Sequence, residues 1–169
     1  MMKKFLPYII IVLIILTMVS IFLSRASQQQ MLTVYENNTE RKALPIKLGH
    51  YQDTQCGMPI EQLQDSAQAV APNGKTWFFD DIGCLAIWME DKSFKDDLII
   101  WVYAKDTKSW IDGHKAWYSL TDSTPMHYGF GAYVNKKESY INFKTMQLKM
   151  LRNENMSNPY YRRELLGEH

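Results

Sequence analysis

Cysteine is scarce in this chain. Two cysteines in 169 residues are too few for a disulfide framework, and they do not form a Cys-x-x-Cys pair. The formal net charge is +1, so no electrostatic feature marks nucleic acid as a partner. There is no His-Glu-x-x-His zinc motif and no glycine-rich phosphate loop. His50, His114, His127 and His169 are scattered along the chain. The acids form no evident catalytic pair, because Asp80 and Asp81 sit side by side at a strand end, where capping is the commoner role. With none of these devices present, the chain reads as a binding protein and not as an enzyme.

What the chain does have is one long apolar run. Met1 to Lys4 carries two adjacent lysines, and Phe5 to Leu23 is then uncharged. At 1.5 Å per residue this run makes roughly 28 Å of helix, close to a bilayer core. The lysines precede it and only Arg25 follows closely, so the positive-inside rule leaves residues 1–4 in the cytoplasm and the rest outside. The expectation is a single-pass inner-membrane anchor over 5–23 with the C-terminal domain in the periplasm. Ser24-Arg25-Ala26 is a poor cleavage site, and no cysteine follows the run to take a lipid. Residues 24–48, with Gln28-Gln29-Gln30 and Asn37-Asn38, read as a polar linker.

Residues 49–169 read as the folded domain, in the α+β class. Ser66–Ala71 and Thr76–Asp80 are strands around Pro72-Asn73-Gly74-Lys75, where Asn-Gly suits a type I′ turn. Asp81 can cap a helix from Ile82 to about Asp91, and Leu98–Ala104 is a further strand. A looser copy follows, with strand segments near Trp110, over Lys115–Leu120 and over His127–Val134, then a helix over Lys144–Arg152. The fold expected is two ββαβ-like units behind an N-terminal transmembrane helix, with the tail from Asn158 packing as a short helix.

Two stretches carry possible chemistry. In Gln55-Cys56-Gly57-Met58-Pro59, a glycine and a proline bend a thiol and a thioether together. Such soft ligands suit Cu(I). The plainer alternative is a structural turn whose sulfurs fill a core. In Thr124-Pro125-Met126-His127-Tyr128-Gly129-Phe130-Gly131, Met126 could add a thioether and His127 an imidazole. Neighbouring strand residues face opposite ways, so only one of the two would reach a given site. The plainer alternative here is a core strand that begins with a buried methionine. Cys84 falls among apolar residues of the predicted helix, and a Cys56–Cys84 disulfide outside the cytoplasm is a third option.

Taken with Trp77-Phe78-Phe79-Asp80-Asp81-Ile82-Gly83-Cys84 and Met150-Leu151-Arg152, these stretches resemble the NosL family over roughly residues 50 to 165. Its members are membrane-attached, copper-binding accessory proteins of nitrous oxide reductase maturation. The resemblance implies Cu(I) held outside the inner membrane and delivered to a copper enzyme or its maturation machinery, often with an ABC-type transporter complex. The family's sulfur ligands map onto Cys56 and Met126. Met58, His127 and Asp53 complete the candidate metal set, Asp53 standing where many members carry a second cysteine. Family members are typically lipoproteins, whereas this chain has a helix. Two alternatives to a Cu(I) metallochaperone stand: a membrane-anchored thiol enzyme using Cys56 in the manner of organomercurial lyase, and a structural module stapled by Cys56–Cys84.

Overall fold

The computed structural model describes residues 2–28 and 31–167, with side chains in the first helix given for residues 8–24. The readings made of Met1, of Gln29-Gln30 and of His169 fall outside the described residues. The chain divides into two units, Met1–Met31 and Leu32–His169. The first is the helix α1, Met2–Gln28. All of its described side chains are exposed, Ile, Leu, Val and Phe on every face. Among the described residues no helix is long and apolar enough to cross a membrane. The apolar run itself starts at Phe5, ahead of the first side chain described.

The second unit is α+β. Its strands are β1 (Val34–Tyr35), β2 (Ala67–Val70), β3 (Thr76–Phe79), β4 (Ile99–Ala104), β5 (Ser109–Asp112), β6 (Trp117–Tyr118), β7 (Ala132–Tyr133) and β8 (Ile141–Asn142). Its helices are α2 (Ile82–Glu90), α3 (Phe143–Leu151) and α4 (Pro159–Leu166). Five strands form one antiparallel sheet in the order β1-β3-β2-β4-β5, and three form another in the order β7-β6-β8. One apolar cluster joins both halves: Ala67, Ala69 and Phe79 of the larger sheet, Leu85 and Met89 of α2, Tyr118, Phe130 and Met146 beyond. Alanines on β2 carry little bulk, which lets α2 lie close to the sheet.

The structure departs from the sequence reading in three places. The folded unit begins at Leu32 and not at residue 49, so most of the expected linker is a strap on the sheet. Val34 and Tyr35 pair with Trp77 and Thr76. Buried Gln68 receives the Leu44 N–H at 2.9 Å and donates to the Leu44 carbonyl at 2.8 Å, while buried Asn38 donates to Lys42 O and Thr76 Oγ1. Polar composition here meets polar partners instead of water, which composition does not reveal. Second, only Gly74 of the hairpin has positive φ, at +82°. With Gly74 N bonded to Ala71 O and Ala71 N to Lys75 O, the loop is a three-residue turn closed by a left-handed glycine, not type I′. Third, β2-β3-α2-β4 has the ββαβ order, but the second half runs β6-β7-β8-α3 and, among the described residues, has no strand after its helix; α4 follows as the short terminal helix expected of the tail. The expected strand over 127–134 shrinks to two residues. His127 and Gly129 take positive φ (58° and 91°), and the Thr124 hydroxyl accepts the Tyr128 and Gly129 N–H groups, folding this stretch into a turn.

Candidate metal centre

The knuckle is a single helical turn capped at both ends. Asp53 stands at its start and accepts the Gln55 N–H (2.6 Å) and the Cys56 N–H (2.9 Å) on one oxygen. Gly57 closes it with φ +79°, its N–H on the Asp53 carbonyl at 3.1 Å. The second Asp53 oxygen takes the Asp80 N–H at 2.8 Å, and Thr54 N–H reaches Phe78 O at 2.9 Å. The turn is thereby bolted to the end of β3, where Asp80 and Asp81 follow. The Asp53 side chain is 1% exposed, and three charge-assisted bonds make it the part that presents Cys56.

Asp81 does the same for the other candidate stretch. Its Oδ1 caps α2 by accepting Gly83 N–H at 2.8 Å, as the sequence indicated. Its Oδ2 accepts the Met126 N–H at 3.0 Å. The Tyr128 ring lies over Gly83, so close that a methyl group added there would clash with its Cδ2. Neighbouring residues therefore fasten the two stretches that are 70 positions apart in sequence: Asp80 meets Cys56, and Asp81 meets Met126. Burial raises the Tyr128 hydroxyl pKa to about 12, with Cys84, Asp81, Cys56 and Asp53 adding to the shift.

Asp53, Cys56, Asp80 and Cys84 bring one donor atom each to within 4.8 Å of one another, an arrangement able to hold a metal ion. Cys56 Sγ lies 3.6 Å from Asp80 Oδ1. Both thiols are free, so the staple of the third alternative is not formed. Burial pushes the Cys56 thiol up to about 11 against the opposing Met58 N–H, and the Asp53 and Asp80 charges raise it further. Burial raises the Cys84 thiol beyond the usual thiol range. Asp80 is lifted to about 8, by burial first and then by Asp53.

Of the five sequence candidates, the structure gathers Asp53 and Cys56 into the cluster, and packs Met126, like Cys56, against the apolar core. Met58 is 40% exposed on the knuckle, and His127 is exposed in the turn, outside the cluster. Asp80 and Cys84 are the members that sequence reasoning passed over as cap and core. The signal was present in their spacing: a cap at 81 puts residue 84 in the first helical turn, back toward the strand end that carries 80.

The Asp80 shift has a measurable consequence. Folded Asp80 holds its proton to about 8, against an ordinary value of 3.8. The folded state therefore binds more protons than the unfolded state between these values, and stability from this group is full below about 4 and lost as pH rises to about 8. Metal-free Asp80→Asn is expected to melt higher than wild type at pH 8, on the order of 3–5 °C for a unit of this size, with the gap closing toward pH 4. A gap that does not change with pH in thermal melts would contradict this assignment.

Comparisons with protein-family models, with curated proteins and with solved structures find no match to this chain.

Proposed function

We propose that this protein is a membrane-anchored Cu(I) metallochaperone of the NosL kind, which holds one ion on Cys56 and Met126. It would carry that ion in the periplasm toward a copper enzyme, nitrous oxide reductase being the client the resemblance suggests. The observation that carries the reading is the Asp80-Asp81 pair, which fastens the thiolate stretch and the thioether stretch to one strand end. Thiolate and thioether together select Cu(I) among the common metals. Cys56 is half-buried, so copper held there remains open to exchange, and exposed Met58 and His127 would serve transient contacts during transfer. Anaerobic titration with Cu(I) against a competing chelator tests the reading. One tightly bound equivalent supports it, and none contradicts it.

The anchor rests on α1. A helix apolar on all faces needs protein or lipid around it. Its Thr17 hydroxyl returns to the Ile14 carbonyl at 2.8 Å, which leaves that group satisfied in a medium without water. A phosphatase reporter fused after the C-terminus is expected to be active outside the cytoplasm. Activity confined to the cytoplasm would reverse the orientation and remove the periplasmic role.

A second reading has one observation in its favour. Asp80, protonated to about 8, stands among two thiols, the set needed to take mercury from an organomercurial and return a proton to carbon. In that step the Cys56 thiol displaces the salt's counter-ion from mercury and loses its proton to solvent. Asp80 gives its proton to the carbon as the carbon–mercury bond breaks, and the Cys84 sulfur takes the vacated place on mercury while its own thiol proton restores Asp80. Release of benzene from a phenylmercury salt would favour this enzyme over the chaperone, and its absence alongside Cu(I) binding would leave the chaperone.

A further inference from the structure

We infer that the site has a second binding mode, in which Cys56, Cys84, Asp80 and Asp53 hold a divalent d10 ion such as zinc without Met126. Metal–ligand distances near 2.0–2.3 Å put neighbouring donors of a tetrahedral site about 3.3–3.8 Å apart. Cys56 Sγ and Asp80 Oδ1, at 3.6 Å, already stand at such a separation. The remaining pairs lie within 4.8 Å, so side-chain closure of about 1 Å completes the shell around an ion.

The independent sign of a ligand is on Asp80. This residue is 3% exposed, and its Oδ2 is buried without a hydrogen-bond partner. Buried polar atoms left unpaired are rare and costly. Asp53 also keeps capacity, since its Oδ2 accepts one N–H and a carboxylate oxygen has a second lone pair. Charge decides the ion. Four anionic donors around Cu(I) would leave three net negative charges in a buried place, and around a divalent ion two. Carboxylates moreover favour harder ions than thioethers do. Cu(I) is thus expected to use the sulfur edge toward Met126, and a divalent ion the Cys84 and Asp80 side.

Cobalt(II), added anaerobically to the reduced full chain in detergent, is the probe. Wild type is expected to bind one equivalent with intense tetrahedral d–d bands and thiolate-to-cobalt charge transfer. Cys84→Ala should halve the charge transfer, and Asp80→Asn should weaken binding at least about tenfold. Met126→Leu should leave the cobalt spectrum and affinity unchanged while weakening Cu(I). X-ray absorption on zinc-loaded wild type gives a reading independent of how the variants fold: two sulfur and two oxygen scatterers are expected. One sulfur, no cobalt binding by wild type, or undiminished charge transfer in Cys84→Ala would overturn the inference. Any of these with Cu(I) binding intact leaves the chaperone reading standing, whereas loss of Cu(I) binding by wild type sinks that reading alone.

Discussion

Cys56→Ser is expected to lower Cu(I) affinity by at least about a hundredfold, because it exchanges the one half-buried thiolate for a hydroxyl with little affinity for a soft ion. The fold should survive. Serine is close in size, and the turn that carries it is held by the Asp53 carboxylate and by Gly57, not by the sulfur. The wild-type pH dependence supplies a second check. The Cys56 thiol titrates at about 11, so at neutral pH copper must displace a proton, and apparent affinity should rise about tenfold per pH unit from 6 to 8. Competition against a chelator of known affinity at several pH values reads both effects. Wild-type affinity in Cys56→Ser, or a flat pH profile, would remove the thiolate from the site.

The second large effect belongs to Asp53, where structure changes the expectation. As a weak extra ligand it would matter little to folding. As observed, its two oxygens accept three backbone N–H groups, at 2.6, 2.9 and 2.8 Å. Asp53→Ala leaves all three without their acceptor, the Asp80 N–H in a buried place and the Gln55 and Cys56 N–H groups in a half-buried one. The expected loss is on the order of 3 kcal/mol or more, read as a fall in melting temperature of roughly 10 °C. Relief of repulsion on Asp80 offsets part of it. Copper affinity should fall as well, because the turn that aims Cys56 loses its cap. Asp53→Asn, which keeps one acceptor oxygen, should fall between the two. A thermal melt of Asp53→Ala within about 2 °C of wild type would show that the clamp contributes little.

What could be read from the sequence, and what could not, follows from how local each feature is. The bend at Gly57 was legible because a glycine acts on its immediate neighbours, whereas the Asp53 cap that starts the turn was read only as a donor to metal. The Asp81 cap was legible for the same reason as the bend, and the β2-β3-α2-β4 order followed from it. The strap over 32–48 was not, since its polar groups are satisfied by Gln68 and Thr76 far along the chain. Nor was the turn at 124–129: a proline followed by glycines and aromatics reads as a strand until the Thr124 hydroxyl is seen collecting two N–H groups. Met126 was selected for its chemistry, and the contact that places it, on Asp81 Oδ2, spans 45 positions. Asp80 and Cys84 each had a sufficient local explanation, as strand end and helix core, and only their shared neighbourhood with Cys56 makes them part of a site.

The central claim is that two distant stretches share one copper ion, and Met126→Leu tests it most directly. Leucine keeps the volume and apolar character, so the fold should lose under about 1.5 kcal/mol, and circular dichroism and melting should stay near wild type. The measurement is X-ray absorption at the copper edge on the Cu(I)-loaded protein, wild type beside Met126→Leu, paired with a chelator competition on the same samples. The account predicts one sulfur scatterer fewer in the variant and a weaker affinity. An unchanged sulfur shell with wild-type affinity would contradict it, and would put the copper on the Cys56 side alone.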